Sequence, residues 1–122
     1  MKEGVLQNKS LTFAVRIVKF YKHLTNEKKE FILSKQILRS GTSIGANVRE
    51  SLNAQSNSDF SNKLQIALKE ADETQYWLEV LLLSNIINQK EFNSMYKDAK
   101  ELIALLVSSI KTVKYKKMEN RN

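Results

Sequence analysis

No proline occurs anywhere in this chain, and only three of its 122 residues are glycine. Domains rich in β-sheet use both residues in their many turns, whereas a few long helices joined by short polar loops need neither. The length falls within the usual size range of one domain and is sufficient to bury a hydrophobic core. The composition therefore predicts one all-α domain that comprises residues 1–122.

The composition also restricts the chemistry available to the chain. The absence of cysteine excludes disulfide bonds, thiolate metal sites and a cysteine nucleophile. His23 is the single histidine, which is too few for a histidine-rich metal site within one subunit and leaves little basis for nucleophilic catalysis. We therefore predict that the protein has no cofactor and is not an enzyme.

The chain contains no candidate membrane anchor. Its first ten residues lack the apolar core of a signal peptide. The most apolar stretch, residues 76–87, is interrupted by Glu79, Ser84 and Asn85, and a bilayer-spanning helix needs roughly 20 apolar residues. We expect a cytoplasmic protein.

Apolar residues recur at helical spacing in four segments, and the first is near the N-terminus. We expect this helix to be capped by Asn8 or Ser10, to follow a short arm of residues 1–8, and to end near Leu24. The polar residues 25–28 then form a turn, and the second helix can begin there.

The second helix contains two glycines at positions that a helix does not favour. Gly41 and Gly45 each cost about 1 kcal/mol relative to alanine in a helix interior. The helix either breaks at Gly41, or continues and uses both glycines as a smooth strip for close packing of another helix. Apolar spacing that continues through Ile44, Val48 and Leu52 favours the second interpretation.

The third helix follows a polar loop, residues 53–58, that ends in a capping serine ahead of Asp59. Alternating steps of four and three mark a bundle seam. The seam residues are Phe60, Leu64, Ala67, Ala71, Thr74, Leu78 and Leu81. A flanking stripe of Ile66, Trp77 and Val80, continued by Ser84, predicts a contact with another subunit.

The fourth helix starts at a candidate capping box, in which Asn88 and Glu91 occupy the first and last of four positions. Its predicted seam residues are Phe92, Tyr96, Ala99, Ile103, Leu106, Ile110 and Val113. A basic tail, residues 114–122, follows. Short connections between long helices predict antiparallel neighbours, so we expect an up-down-up-down four-helix bundle.

Several segments resemble those of a known family. They are residues 39–50 (RSGTSIGANVRE), Phe60, residues 63–71 (KLQIALKEA), Glu73, residues 76–78 (YWL) and residues 109–112 (SIKT). They resemble the small four-helix-bundle proteins first noticed as products of intervening sequences in bacterial 23S ribosomal RNA genes. This resemblance implies a homo-oligomeric ring, with a pentamer as the expected assembly, although members of the family generally lack a settled biochemical activity. The chain is also similar to the accessory proteins of diversity-generating retroelements, whose basic barrels bind nucleic acid and a reverse transcriptase.

A polar stripe follows one face of the second helix, at steps of four, four and three. It consists of Arg39, Ser43, Asn47 and Glu50. Arg39 can pair with Ser43 or with a carboxylate on a neighbour. We interpret the stripe as fixing helix register or a subunit interface, with ligand binding as the alternative.

The formal net charge of +7 is distributed unevenly along the chain. Both terminal segments, residues 1–49 and 111–122, are basic, whereas residues 50–110 are acidic. In the predicted topology, the start of helix one and the ends of helices two and four meet at one end of the bundle, so their cations converge and can neutralise phosphates. The candidate nucleic-acid-binding residues at this end are Lys2, Lys9, Arg49, Lys111, Lys114, Lys116 and Lys117. Arg16 and Lys19, one turn apart on helix one, are candidates that extend the patch.

These observations support a non-enzymatic homo-oligomer that binds RNA or DNA through a basic surface, as an adaptor. The alternative is a structural or protein-interaction module whose lysines complement helix dipoles and maintain solubility.

Overall fold

The computed structural model describes the backbone of residues 2–119 and the side chains of residues 4–114. Four helices make up the described chain: α1 (Lys2–Asn26), α2 (Leu33–Ser51), α3 (Asn57–Leu83) and α4 (Gln89–Glu119). Each helix packs against the next one along the chain, and α4 packs back on α1. No strand occurs between residues 2 and 119. The predicted all-α, up-down-up-down four-helix bundle is confirmed.

The buried core follows the apolar stripes of the four helices. On α3 the predicted seam is buried from Leu64 to Leu81, including Thr74, while Phe60 at its start is half-buried. On α4 the predicted seam was only partly right: Met95 and Leu102 are buried, and four predicted members are half-buried instead. These four residues are Phe92, Tyr96, Ile103 and Val113. The apolar spacing correctly identified a helical stripe on α4. Because this stripe is wider than one seam, the spacing did not show which of its residues are buried most deeply.

The two glycines of α2 lie where α1 approaches most closely. A Cβ atom added at Gly41 would lie 2.7 Å from Cγ1 of Ile17, and one at Gly45 would lie 3.2 Å from the carbonyl oxygen of Ser10. Both distances are shorter than ordinary van der Waals contacts. The helix therefore continues through both positions, and the predicted smooth strip is confirmed with α1 as the packing partner.

Two helix starts differ from the predictions. α1 begins at Lys2 rather than at Asn8 or Ser10, so residues 2–8 are helical and do not form an arm. Leu6 is buried and extends the apolar stripe by two turns, while the Ser10 hydroxyl donates to the carbonyl of Gln7 instead of capping the helix.

α2 begins at Leu33 rather than within residues 25–28. The carboxylate of Glu30 accepts hydrogen bonds from the backbone N–H groups of Ile32 at 3.2 Å, Leu33 at 3.1 Å and Ser34 at 2.7 Å. This interaction satisfies donors that the first turn of a helix leaves unpaired. A glutamate ahead of the helix performs the capping here, so the helix starts after Glu30 and not at the polar turn of residues 25–28.

The starts of α3 and α4 are held by local caps. Ser56, not Ser58, caps α3, and its hydroxyl oxygen accepts from the backbone N–H of Asp59 at 3.0 Å. The predicted capping box of α4 is confirmed, since Asn88 accepts from the N–H of Glu91 at 2.8 Å and Glu91 accepts from the N–H of Asn88 at 2.9 Å. α4 then continues through residues 114–119 of the predicted tail. Among the described residues, no helix combines the length and the apolar character needed to cross a membrane.

Candidate nucleic-acid interface

A ladder of ion pairs joins α1 to α4. Three basic side chains at intervals of seven on α1 each contact a carboxylate of α4. The pairs are Lys9 with Glu101, Arg16 with Asp98, and His23 with Glu91. Arg16 also donates to the hydroxyl of Ser94 at 2.7 Å. All three acidic residues of α4 between residues 89 and 114 are therefore directed toward α1.

The ladder shifts the pKa values of two of its members. The hydrogen bond and the charge of Glu101 raise the pKa of Lys9. Burial alone would raise the pKa of Glu91, but hydrogen bonds from the Asn88 backbone and from His23 outweigh it, so the pKa of Glu91 lies below its ordinary value. Both shifts favour the charged forms, as expected for an ion pair.

A second set of ion pairs joins α2 to α3. The Arg39 guanidinium contacts Glu70 at 3.1 Å and also contacts Glu73. Near the other end of the same seam, Lys63 lies 3.3 Å from Glu50. The carboxylate partners of Arg39 therefore belong to the neighbouring helix of the same chain.

The rest of the polar stripe on α2 is also satisfied within the chain. Ser43 donates to the carbonyl of Arg39 at 2.6 Å, and the amide of Asn47 donates to the carbonyl of Ser43 at 2.9 Å. Deeper in the same seam, the buried hydroxyl oxygens of Ser40 and Thr74 are 2.9 Å apart. The bonds of Ser43 and Asn47 lie within α2, whereas the Ser40–Thr74 contact joins α2 to α3.

The ion pairs consume most of the acidic side chains near the helix seams and leave many exposed cations. The exposed cations without an ion pair among residues 4–114 are Lys19, Lys22, Lys28, Lys29, Lys35, Arg49, Lys69, Lys90, Lys97, Lys100, Lys111 and Lys114. The positive charge of the protein is therefore concentrated on its outer surface.

The predicted nucleic-acid-binding residues fall into three groups. Lys9 and Arg16 are engaged in ion pairs with α4. Four others are exposed and have no ion pair within the described part of the chain, namely Lys19, Arg49, Lys111 and Lys114. The side chains of Lys2, Lys116 and Lys117 lie outside the described residues.

Three exposed lysines of α4 were missed by the sequence analysis: Lys90, Lys97 and Lys100. They lie in residues 50–110, whose total charge is negative. That total concealed the three lysines, because the acidic residues of α4 are on the flank that faces α1 and pair with it. The signal was present as spacing, since Lys97 and Lys100 are repeated 14 positions later by Lys111 and Lys114. Summing the charges over one face of α4, rather than over a stretch of sequence, would have identified these lysines.

Comparisons with known proteins agree with this architecture. The profile of the family described as 23S rRNA-intervening sequence protein matches residues 2–108. The chain belongs to this family. The chain is also similar to a protein with unknown function from the S23 ribosomal protein family of Bacteroides thetaiotaomicron VPI-5482, whose crystal structure was determined at 1.70 Å. The two sequences are 59% identical, and the two structures superpose with a TM-score of 0.90. The match covers 91% of this chain and 99% of that one. No curated protein matches the chain.

In this member of the intervening-sequence family, the stripe predicted to contact another subunit is only partly exposed. Ile66 is 44% exposed, whereas Trp77 and Val80 are half-buried. The Trp77 ring packs against the core, and its Nε1 donates to the Glu73 carboxylate at 3.4 Å. Tyr76 beside it makes an edge-to-face contact, with ring centroids 5.0 Å apart.

A more continuous exposed apolar stripe lies on α1 and was also missed. It consists of Leu11, Val15 and Val18, which are 51%, 49% and 37% exposed. Leu11 and Ala14 line a surface groove with Ala46 of α2.

Proposed function

We propose that this family member is a non-enzymatic, homo-oligomeric bundle that binds RNA or DNA through its exposed cations and acts as an adaptor. One observation carries the proposal: the acidic side chains at the α1–α4 and α2–α3 seams are engaged in ion pairs, while many lysines on the surface are not. A lysine without a carboxylate partner can contact a phosphate without first breaking a protein contact. Such contacts release counterions and supply affinity that is largely independent of nucleotide sequence.

The strongest members of the predicted set share one end of the bundle. Arg49 is near the end of α2, while Lys111 and Lys114 are on the C-terminal half of α4, and antiparallel packing places both helix ends at the same end of the bundle. Lys114 lines a groove with Asn57 at the start of α3, which belongs to the same end. Lys9 and Arg16 would first have to give up Glu101 and Asp98, so we expect them to contribute less.

Binding rather than catalysis is proposed because of the position of His23. This single imidazole contacts Glu91 at 2.7 Å as part of the ladder between α1 and α4. A general base needs a hydroxyl nucleophile within hydrogen-bond reach, and none of the hydrogen bonds formed by His23 in the described residues involves a serine or threonine.

Fluorescence anisotropy with a labelled structured RNA tests the proposal at about 50 mM and about 200 mM salt. The test variant is the triple substitution Arg49→Gln, Lys111→Gln, Lys114→Gln. The matched control, Lys22→Gln, Lys28→Gln, Lys35→Gln, removes the same charge from exposed sites elsewhere. We expect the test variant to lose at least about tenfold in affinity at low salt, and the control to lose much less, because each phosphate contact adds to the salt-dependent term. Absence of binding by the parent protein at low salt would contradict the proposal.

Homo-oligomerisation has its own support and its own test. The exposed residues Leu11, Val15, Val18 and Ile66 supply apolar surface that a second copy can cover. Native mass spectrometry of the parent should show an assembly larger than one subunit, with the pentamer implied by the resemblance as the expected species. Val15→Lys should shift the protein toward smaller species. A parent that has the mass of one subunit over a wide concentration range would overturn this part of the proposal.

A protein-interaction module is the second candidate function, and the loop end of the bundle favours it. Phe31, Ile32 and Leu83 are 55%, 75% and 81% exposed, and Lys28 and Lys29 line a groove together with Phe31 and Ile32. Ile32→Ser with Leu83→Ser distinguishes the two functions, because it should leave RNA binding unchanged if nucleic acid is the ligand. The protein-interaction module replaces nucleic-acid binding as the proposed function under two conditions. The parent protein binds no nucleic acid, and Ile32→Ser with Leu83→Ser abolishes association with a partner protein.

A further inference from the structure

A row of lysines runs along the outer face of α4. It consists of Lys90, Lys97, Lys100, Lys111 and Lys114, all exposed. At 100° per residue these five positions fall within about one third of the helix circumference, and at 1.5 Å per residue they extend over about 36 Å. None of the five has an ion pair among the described residues.

Acidic residues flank the lysine row on both sides but do not interrupt it. On the α1 side, Asp98 and Glu101 are engaged by Arg16 and Lys9. On the α3 side, Asp72 and Glu79 follow Gln65 at intervals of seven, and Gln65 borders α4 in a groove with Lys114. These two exposed carboxylates repel phosphate from the seam between α3 and α4. They therefore favour a ligand that lies along the outer face of α4.

The row is divided into two lysine clusters with small residues between them. Lys100 and Lys111 are about 16 Å apart along the helix axis. The positions of this gap that fall within the same arc are Ala104, Val107 and Ser108, and none of them is charged. A gap of this size fits the two phosphate rows that border a groove of about 12 Å, given the length of a lysine side chain. Small side chains allow the backbone of the ligand to approach.

Between Lys90 and Lys114, the outer face of α4 lacks the features that proteins use for single strands. Such proteins combine a basic groove with aromatic rings on which bases stack. The outer face of α4 between Lys90 and Lys114 is a convex ridge, and its nearest rings, Phe92 and Tyr96, are half-buried and stack on each other with centroids 4.7 Å apart. A row of charges that runs along one helix can lie along the axis of a double helix and meet its phosphates on both borders of a groove.

We infer that the α4 lysine row binds double-stranded nucleic acid lengthwise, with Lys90, Lys97 and Lys100 on one phosphate row and Lys111 and Lys114 on the other. This inference rests on the proposed function and specifies its substrate class. A row of about 36 Å corresponds to about 11 base pairs at 3.4 Å each. Both clusters are therefore engaged only by duplexes of at least about that length.

The experiment compares hairpins with stems of about 5 and about 16 base pairs, in RNA and in DNA, with an unstructured single strand of equal length. The test variant is Lys90→Gln, Lys97→Gln, Lys100→Gln, and the control is again Lys22→Gln, Lys28→Gln, Lys35→Gln. Circular dichroism and thermal unfolding verify that both variants remain folded. The parent should bind the long stem at least about tenfold more tightly than the short stem or the single strand.

The test variant should lose this length dependence, while the control keeps it. Five phosphate contacts predict a slope of log K against log salt of roughly −4.5 on duplex DNA, and the test variant should reduce it to roughly −2. Equal losses for both variants, or a single strand that binds as tightly as the long stem, would overturn the inference and leave the proposed function intact. A parent that binds none of the probes would overturn both.

Discussion

Helix α1 is held by different contacts on its two sides. Toward α2 it packs directly against Gly41 and Gly45, close enough that a methyl group at Gly41 would overlap Ile17. Toward α4 it is joined by the ladder of ion pairs, whose side chains are largely accessible to water. Close packing is sensitive to single methyl groups, whereas exposed ion pairs are typically worth less than about 1 kcal/mol. We therefore expect single substitutions to cost more at the close approach to α2 than at the ion pairs with α4, which determine where the charges of α4 lie.

The largest expected effect comes from filling the close approach on the α2 side. Gly41→Val should lower the free energy of unfolding by about 2 kcal/mol, because overpacking costs about 1–3 kcal/mol and the gain in helix propensity offsets only a part. Urea unfolding followed by circular dichroism measures the change.

A matched glycine provides the control for this prediction. Gly4 is also helical, but a Cβ atom there would have no neighbour within 4 Å. Gly4→Ala should leave stability unchanged or raise it by up to about 1 kcal/mol. Ile17→Ala in the Gly41→Val protein should recover part of the loss. If the Gly4 and Gly41 substitutions change the free energy of unfolding equally, close packing against α2 does not have the energetic role assigned to it.

The next largest effect is expected at the α2–α3 seam, where a buried hydrogen bond joins the two helices. Thr74→Val removes one of the two partners of the buried Ser40 hydroxyl, which also donates to the carbonyl of Ile37, and should cost about 1 kcal/mol, because a buried polar group loses a hydrogen bond. Replacing both residues, with Ser40→Ala and Thr74→Val, should recover part of this cost. A double variant as unstable as the sum of the two single variants would show that the hydroxyl contact has no energetic role.

Smaller effects are expected from the ion pairs themselves. Arg16→Gln should cost about 0.5 kcal/mol or less, since the Arg16–Asp98 pair is partly exposed. Arg39→Gln should cost more, up to about 1 kcal/mol, because Arg39 joins two carboxylates and Glu70 is mostly buried. Thermal unfolding in low and high salt distinguishes these electrostatic losses from packing losses. If Arg16→Gln lowers the free energy of unfolding more than Gly41→Val does, the ion pairs with α4 contribute more to stability than the close packing against α2.

The smallest effect is a dependence on pH. Because the pKa of Glu91 lies below its ordinary value of 4.5, its contribution to stability is present above that pH and is lost as the pH falls through the lowered pKa. Glu91→Gln should therefore be less stable than the parent near pH 7, and the difference should shrink toward pH 3. Urea unfolding at several pH values measures it. A difference that stays constant from pH 7 to pH 3 would show that the charge of Glu91 does not contribute.

The fold was largely predictable because its signals are local. Apolar spacing along each helix, the reciprocal caps of Asn88 and Glu91, and the continuation of α2 through Gly41 depend on residues within a few turns of one another. The misplaced start of α2 shows the limit, since Glu30 caps that helix with a side chain that the usual capping preferences do not include. The candidate interface was predictable only in part. Lys111 and Lys114 were found, while Lys90, Lys97 and Lys100 were not.

By itself the sequence determined that this chain forms four amphipathic helices in antiparallel order, because helical periodicity and short polar connections act within one segment at a time. Only the tertiary structure decided which charges cancel. Arg16 meets Asp98 across 82 positions of the chain, and pairing of charges depends on their distance in space rather than on their order in the sequence. The lysines that remain available to a phosphate could therefore be identified only once α1 and α4 lay side by side.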